Sequence, residues 1–213
     1  MAVDAKICGI TDPQAMEAAV RHGAALIGLV FFPPSPRAVS VDEAAMLAGR
    51  VPERVLRVGL FVDPDDELID QVLARVPLDA IQLHGEEPAD RCAGLKARTG
   101  REVHKAIKVR DAEDLAAADR YAKVCDRLLF DAKPPADATR PGGNAETFDW
   151  TVLEGRSWPV PWLLAGGLTP DNVKSAIRMT GCPGVDASSG LESAPGKKDP
   201  AKIAAFLNAV KSA

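Results

Sequence analysis

Cysteine is scarce. The 213 residues hold four, at positions 8, 92, 125 and 182, and no two lie at CxxC spacing. This excludes a thiol-based structural zinc site and a CxxC redox motif, and leaves each thiol the ordinary role of a small buried hydrophobe. Histidine is scarcer still, with only His22, His84 and His104, too few for a metal centre built on several imidazoles. No uninterrupted apolar run approaches the roughly 18 residues of a membrane span. The stretch from Met1 to Cys8 carries Asp4 and Lys6 and no hydrophobic segment, so a secretory leader is not expected and a cytoplasmic protein is. Neither sign of charge is in excess. Lys and Arg total 26 against 30 Asp and Glu, a net charge of −4, which argues against nucleic acid or an anionic membrane as a partner held by bulk charge. What is present is an ordinary globular composition, 46% hydrophobic and 26% charged. A single domain spanning 1–213 is expected.

Short apolar runs alternate with longer amphipathic ones. The strand candidates are Lys6–Ile10, Leu26–Phe31, Arg57–Val62, Ala80–His84, Val103–Lys108, Arg127–Asp131, Trp162–Ala165 and Gly184–Ala187. Most are continuous apolar runs, the signature of parallel strands covered on both faces. Helical stripes fall between them. Ile203, Phe206, Leu207 and Val210 share one face, as do Leu68, Ile69, Val72, Leu73 and Val76. Asp12-Pro13, Asp63-Pro64-Asp65-Asp66-Glu67, Thr169-Pro170-Asp171 and Asp199-Pro200 mark helix starts, each joining a capping side chain to an early proline or acid. Eight βα units of about 27 residues predict a compact α/β fold, the (βα)8 TIM barrel. An open doubly wound sheet is the alternative, weakened because no Gly-rich dinucleotide fingerprint follows the first strand. The irregular stretch 133–147, with Pro134, Pro135, Pro141, Gly142 and Gly143, reads as a functional loop.

In such barrels chemistry sits where the C-terminal strand ends meet the βα loops. Those ends offer Cys8, Arg37 just beyond the second strand, His84, Asp131, and Asp186 with Ser188 and Ser189. Alternation puts Lys6 with Cys8, Gln82 with His84, and Leu129 with Asp131 on one face each. Gly166-Gly167 and Ser188-Ser189-Gly190 end the seventh and eighth strands, where this fold commonly binds phosphate through backbone N–H groups. The alternative is that both are tight turns that simply need glycine, but two such loops on the two expected strands favour the phosphate site.

The segments KICGIT at 6–11, GLVFFPPSPRAVS at 28–40, VGLFVD at 58–63, IQLHGEE at 81–87, LLFDAKPP at 128–135, GGNAETFDW at 142–150, LAGGLTPDNV at 164–173 and GVDASSGLES at 184–193 span nearly the whole chain. In this order they resemble the phosphoribosylanthranilate isomerases of tryptophan biosynthesis, whose fold is a TIM barrel. The resemblance implies an Amadori rearrangement of N-(5-phosphoribosyl)anthranilate to 1-(2-carboxyphenylamino)-1-deoxyribulose 5-phosphate. It implies neither a cofactor nor a metal, because no redox change occurs and the amine nitrogen itself supplies the push that opens the sugar ring.

By the same resemblance Cys8 is the general base and Asp131 the general acid. Their needs are opposite. A free thiol is only a few per cent thiolate at neutral pH, so Cys8 calls for nearby positive charge or N–H dipoles. A carboxyl at its reference pKa of ~3.9 has no proton to give at neutral pH, so Asp131 calls for burial at its apolar strand end. Arg37, on a loop stiffened by Pro33, Pro34 and Pro36, is implied as the bidentate clamp for the anthranilate carboxylate. Asp186 is a candidate partner for substrate hydroxyls or a buried capping acid. His84 is a site residue or a histidine tied into the barrel. Gly167, Ser188 and Ser189, with Gly143 from the long loop, are implied around the phosphate. That loop departs from the family, many of whose members carry Asp-Thr or Asp-Ser and a GG[TS]G run where this chain has Asp131-Ala132-Lys133 and Gly142-Gly143-Asn144-Ala145.

Three rivals are weaker. The related sugar isomerase of histidine synthesis places an aspartate where this chain has Cys8 and binds two phosphates. A metal-dependent pentose-phosphate epimerase needs more histidines. A silent phosphosugar-binding barrel has no use for an acid and a base in one pocket. A monomer is expected, with a homodimer through Ala-rich helices such as 115–118 as the alternative.

Overall fold

Eight short apolar strands pair in parallel, in chain order, and close on themselves. They are β1 (Asp4–Cys8), β2 (Leu26–Val30), β3 (Leu56–Phe61), β4 (Ala80–Leu83), β5 (Glu102–Val109), β6 (Arg127–Ala132), β7 (Trp162–Leu164) and β8 (Gly184–Ala187). The computed structural model describes residues 3–133 and 147–213. All eight strand candidates are strands, and the barrel is closed by β1 against β8, with Lys6 opposite Asp186. The open sheet is excluded. The first, second, third, fourth and seventh strands end one or two residues before the ends read from sequence, although residues such as His84 continue the ladder past the regular strand, its N–H reaching the Phe61 carbonyl at 2.9 Å, while β5 and β6 each run one residue further than read.

Helices α1 (Pro13–Arg21), α2 (Val41–Ala48), α3 (Asp66–Leu73), α4 (Ala89–Thr99), α5 (Ala118–Ala122), α6 (Val173–Thr180) and α7 (Pro200–Lys211) pack outside the barrel. Asp12, Asp65 and Asp199 cap α1, α3 and α7, each side chain accepting a first-turn N–H. The start at Thr169-Pro170 is displaced. Asn172 accepts the Thr169 N–H through its side chain at 2.8 Å. This turn delays α6 to Val173. Between β6 and β7 the only helical element among the described residues is a 3₁₀ turn, Trp150–Leu153. A second 3₁₀ turn, Ala112–Ala117, replaces the Ala-rich helix read there. Beyond β8 a short antiparallel hairpin, β9 (Glu192–Ala194) and β10 (Lys197–Lys198), precedes α7. No helix of the described residues is long and apolar enough to cross a membrane.

The main core lies between barrel and helices and takes in the buried stripe Ile203, Phe206, Leu207 and Val210 of α7. The barrel's interior is lined differently. Leu26, Val58 and Ala80 fill one part, and Ala106, Leu129, Leu163 and Ala165 another. The remainder is polar, with Lys6, Gln82, His84, His104, Asp131 and Asp186 all buried.

Candidate active site

Strand β1 delivers two side chains to the interior, Lys6 and Cys8. Glycine at position 28, opposite Cys8 in register, makes the room. A Cβ there would stand 2.8 Å from the Cys8 Sγ and 3.2 Å from the Lys6 Nζ. Lys6 is wholly buried, and its ammonium donates to Asp186 Oδ1 at 3.1 Å. Burial alone would lower the lysine's pKa. The Asp186 carboxylate and the Cys8 sulfur, both hydrogen-bonded to it, hold it above its ordinary value instead. Burial pushes the Cys8 thiol up. Lys6 and, more weakly, Lys198 oppose that, while Asp186 reinforces it. The positive charge expected beside Cys8 is therefore present, and it comes from the same strand two residues earlier.

Asp131, at the end of β6, is 8% exposed. Its Oδ1 accepts the Ala132 N–H at 2.9 Å, and Oδ2 lies 3.1 Å from His84 Nε2. His84 Nδ1 in turn lies 3.2 Å from the Gln82 amide nitrogen. His84 is thus tied both to the barrel and to the candidate acid, so the two readings of it meet in one residue. Gly166, with φ +87°, packs against this strand end. A Cβ would come 2.9 Å from the Ala132 nitrogen and 3.4 Å from Asp131 Oδ1. The first glycine of the pair is thus required by close approach to Asp131.

Arg37 is buried and held by a carboxylate, its Nε donating to Glu192 Oε1 at 2.6 Å and its Nη2 to Oε2 at 3.0 Å. Glu192 also accepts from Lys198 Nζ at 2.7 Å, and Lys198 lies 3.4 Å from Ser188 Oγ. Burial favours the neutral Glu192, but Arg37 and Lys198 hold its carboxyl below the usual range. Gly9, with φ +74°, lets the arginine stem cross the end of β1, since a Cβ there would sit 2.6 Å from Arg37 Cδ. The KICG motif therefore seats Cys8 and Arg37 together.

The glycine loops meet as well. A Cβ on Gly190 would overlap the Leu168 carbonyl, so the turns after β7 and β8 press directly on each other. Gly167 has φ +64°, and its carbonyl accepts from Asn172 Nδ2 at 3.0 Å. Ser188 and Ser189 enter a 3₁₀ turn through Leu191. Gly143 lies outside the described residues. Among the described residues no cluster of three or more His, Cys, Asp or Glu side chains is placed to hold a metal.

Sequence reasoning assigned no role to Lys6, Gln82, Glu192 or Lys198. Lys6 carried the clearest signal, a charge inside an apolar strand two residues before Cys8. Glu192 and Lys198 carried none, because only the hairpin fold brings them under Arg37.

The description "N-(5'phosphoribosyl)anthranilate (PRA) isomerase" belongs to the family model that matches residues 5–209. A relative from Paramagnetospirillum magneticum, named N-(5'-phosphoribosyl)anthranilate isomerase, is 56% identical over 211 residues, 99% of this chain and 98% of its own. The crystal structure of phosphoribosyl anthranilate isomerase from Thermotoga maritima is similar with a TM-score of 0.87 and 38% identity, covering 99% of this chain and all of that one. A further solved isomerase, in complex with reduced 1-(o-carboxyphenylamino)-1-deoxyribulose 5-phosphate, is 36% identical with a TM-score of 0.84, covering 99% of this chain and 100% of its own. Matched along almost its full length by sequence and by fold alike, this chain belongs to the phosphoribosylanthranilate isomerase family.

Proposed function

We propose that this chain catalyses the Amadori rearrangement of N-(5-phosphoribosyl)anthranilate to 1-(2-carboxyphenylamino)-1-deoxyribulose 5-phosphate, a step of L-tryptophan biosynthesis, with Asp131 as general acid and Cys8 as general base. The observation that carries the reading is that β1 and β6 bring Cys8 and Asp131, both buried, to one end of the barrel. Burial pushes the Cys8 thiol up, and the Lys6 ammonium beside it offsets part of that push. Asp131 stands in an interior closed by His84 and the Ala132 amide. One barrel end thus offers a base and an acid from strands β1 and β6.

The steps balance without a redox partner. The anilino nitrogen lone pair expels the furanose oxygen from C1′ as Asp131 gives that oxygen its proton. The open-chain iminium then loses its C2′ proton to the Cys8 thiolate, and the electron pair returns to nitrogen as the enolamine forms. Tautomerisation moves the enol proton to C1′ and leaves the ketone. Acid–base assistance of this kind is worth about 10²–10⁴-fold per group. Arg37 takes the anthranilate carboxylate, His84 and Asp186 face the sugar, and Gly167, Ser188 and Ser189, with Gly143, enclose the phosphate. The protein acts as a single cytoplasmic domain, cofactor-free and monomeric.

Loss of anthranilate-type fluorescence on adding protein to freshly made N-(5-phosphoribosyl)anthranilate with EDTA present tests the reaction. Rapid, protein-dependent loss above spontaneous hydrolysis is expected, and none would overturn it. Cys8→Ser and Asp131→Asn should each cost at least ~10²-fold in kcat while sparing product affinity. Near-wild-type turnover in either variant would remove that residue from its role.

A further inference from the structure

The hairpin after β8 brings a second ammonium to the barrel mouth, and strand register sets its level. Between β1 and β8, Lys6 pairs with Asp186 and Ile7 with Ala187. Cys8 and Ser188 each follow by one residue, so Ser188 stands level with Cys8. Lys6 Nζ donates to Asp186 at 3.1 Å, and two residues nearer the mouth Lys198 Nζ lies 3.4 Å from Ser188 Oγ. Two ammonium groups thus sit at successive levels of one strand pair, Lys6 a step below Cys8 and Lys198 at its level.

Carboxylate answers Lys198 only in part. Its Nζ donates to Glu192 Oε1 at 2.7 Å, the oxygen that also takes Arg37 Nε at 2.6 Å. Glu192 Oε2 takes Arg37 Nη2 at 3.0 Å and the Gly196 N–H at 3.2 Å. One carboxylate therefore serves two cations. The other contact of Lys198, Ser188, is a neutral hydroxyl. Lys202 on α7 donates to the Glu192 carbonyl at 2.7 Å and adds no negative charge. Asp186 is paired with Lys6, and Asp131 bonds to His84 and the Ala132 N–H. A buried ammonium that shares its counter-ion is costly unless another negative charge stands by.

Cys8 is the ionisable group that faces it. The influence is mutual: Lys198 works against the rise that burial imposes on the thiol, and Cys8 works against the fall that burial imposes on the amine. A charge so placed has two uses, to hold an anion of the substrate or to hold a thiolate. The Lys198 side chain has no exposed surface. An anion entering the mouth does not reach it unless the hairpin moves, whereas Cys8 already faces it.

We propose that Lys198 is a positioning residue for the base: the β9–β10 hairpin sets its ammonium level with Cys8, where it joins Lys6 as the second positive charge that sustains the thiolate. This rests on Cys8 acting as the base. Glu192 then has two tasks, holding the Arg37 fork and tethering the ammonium.

Ultraviolet titration of the thiolate in the ligand-free protein tests this without turnover, with Cys8→Ser as the blank for Cys92, Cys125 and Cys182. Lys198→Met should move the Cys8 titration about one pH unit higher. In the isomerase assay kcat/KM should fall ~10-fold on the ascending limb and stay within ~2-fold on the high-pH plateau. Lys198→Gln removes the charge but keeps a donor for Glu192. It should shift the titration as Lys198→Met does, and it decides alone if the methionine variant fails to fold. An unmoved Cys8 titration in a folded variant overturns the proposal, and a raised KM beside it would assign the charge to an anion of the substrate. A shift in Lys198→Met that is missing from Lys198→Gln also overturns it, because the hydrogen bond and not the charge would then be at work. An inactive wild-type protein whose Cys8 titration still moves on losing Lys198 counts against the reaction and not against the coupling.

Discussion

Two lysines are buried against carboxylates in this barrel, and the surroundings of the two pairs differ. Lys105 points outward from β5, donating to Glu87 Oε2 at 2.7 Å and to the Gly85 carbonyl at 2.8 Å. Glu87 Oε1 accepts the Asp63 and Gly85 N–H groups, and Tyr121 donates to the Glu87 carbonyl. The ion pair is surrounded by protein donors and acceptors and joins the loops after β3 and β4. Lys6 points inward from β1 and shares its ammonium between Asp186 and the Cys8 sulfur, beside the open end of the barrel. A buried pair whose hydrogen bonds all run to backbone and carboxylate holds architecture. A buried pair that spends a contact on a thiol sets reactivity. Buried charge alone distinguishes neither case.

The largest effect should come from breaking the saturated pair. Lys105→Met leaves Glu87 buried without its counter-ion and should cost about 3–5 kcal/mol. For a chain of this size that is a fall in Tm on the order of 10 °C by calorimetry. The pH dependence has a definite sign. Burial opposes the Glu87 carboxylate, but Lys105 holds its carboxyl below the ordinary value. Its contribution is complete above the unfolded carboxyl's pKa and is lost as pH falls through the folded value. The Tm gap between wild type and variant should therefore narrow in acid. Isomerase kcat/KM, measured well below the variant's Tm, should stay within about two-fold. A large loss of activity in the folded variant would break the distinction between the two lysines.

Lys6→Met is the converse experiment. It should lower kcat/KM by ~10²-fold, equivalent to about 2.7 kcal/mol of transition-state stabilisation. The informative readout is the pH profile. Burial already pushes the Cys8 thiol up, and Lys6 is the main opposing influence. With Cys8 as the proposed base the thiolate is the active form, so kcat/KM should rise with pH, and removing the ammonium should move that ascending limb to higher pH. A profile that drops uniformly without moving would assign Lys6 to packing.

Most of this architecture is legible in the sequence because apolar strands and capped helices are local signals. Cys8, His84, Asp131 and Asp186 could be found from one rule, that polar residues ending apolar strands face the barrel mouth. The same rule passes over Lys6 and Gln82, which sit deeper in their strands and contact the residue two positions later. Gly166 reads as part of a phosphate loop or a tight turn, and Gly9 and Gly28 stand unremarked inside strand candidates, whereas each is required because a side chain or backbone from another strand or loop lies against it. The delay of α6 follows from Asn172 turning its side chain back on Thr169, a contact that competes with a helix start at Thr169-Pro170. Glu192 is the hardest case. Its partner Arg37 lies 155 residues away in sequence, and only the hairpin after β8 brings the two together.

Glu192 also supplies the finest test of the comparison, because its pair combines both characters. Its carboxylate is buried and doubly bonded to Arg37 like an architectural group, yet it stands beside Lys198 and Ser188 at the mouth. Glu192→Gln keeps the shape but sets an NH₂ against a guanidinium or ammonium donor, so the arginine fork loses its fixed plane. If the fork is held ready for the anthranilate carboxylate, KM should rise about ten-fold with kcat almost unchanged, because that carboxylate is remote from C1′ and C2′. The opposite sign has an equally clear meaning. A lower KM in Glu192→Gln would show that Glu192 occupies the fork in competition with substrate, its carboxylate standing where the anthranilate carboxylate must enter. Steady-state kinetics at one pH separates the two, and Arg37→Lys provides the reference. A lysine loses the two-pronged contact whichever partner fills it, so its KM should rise in either case.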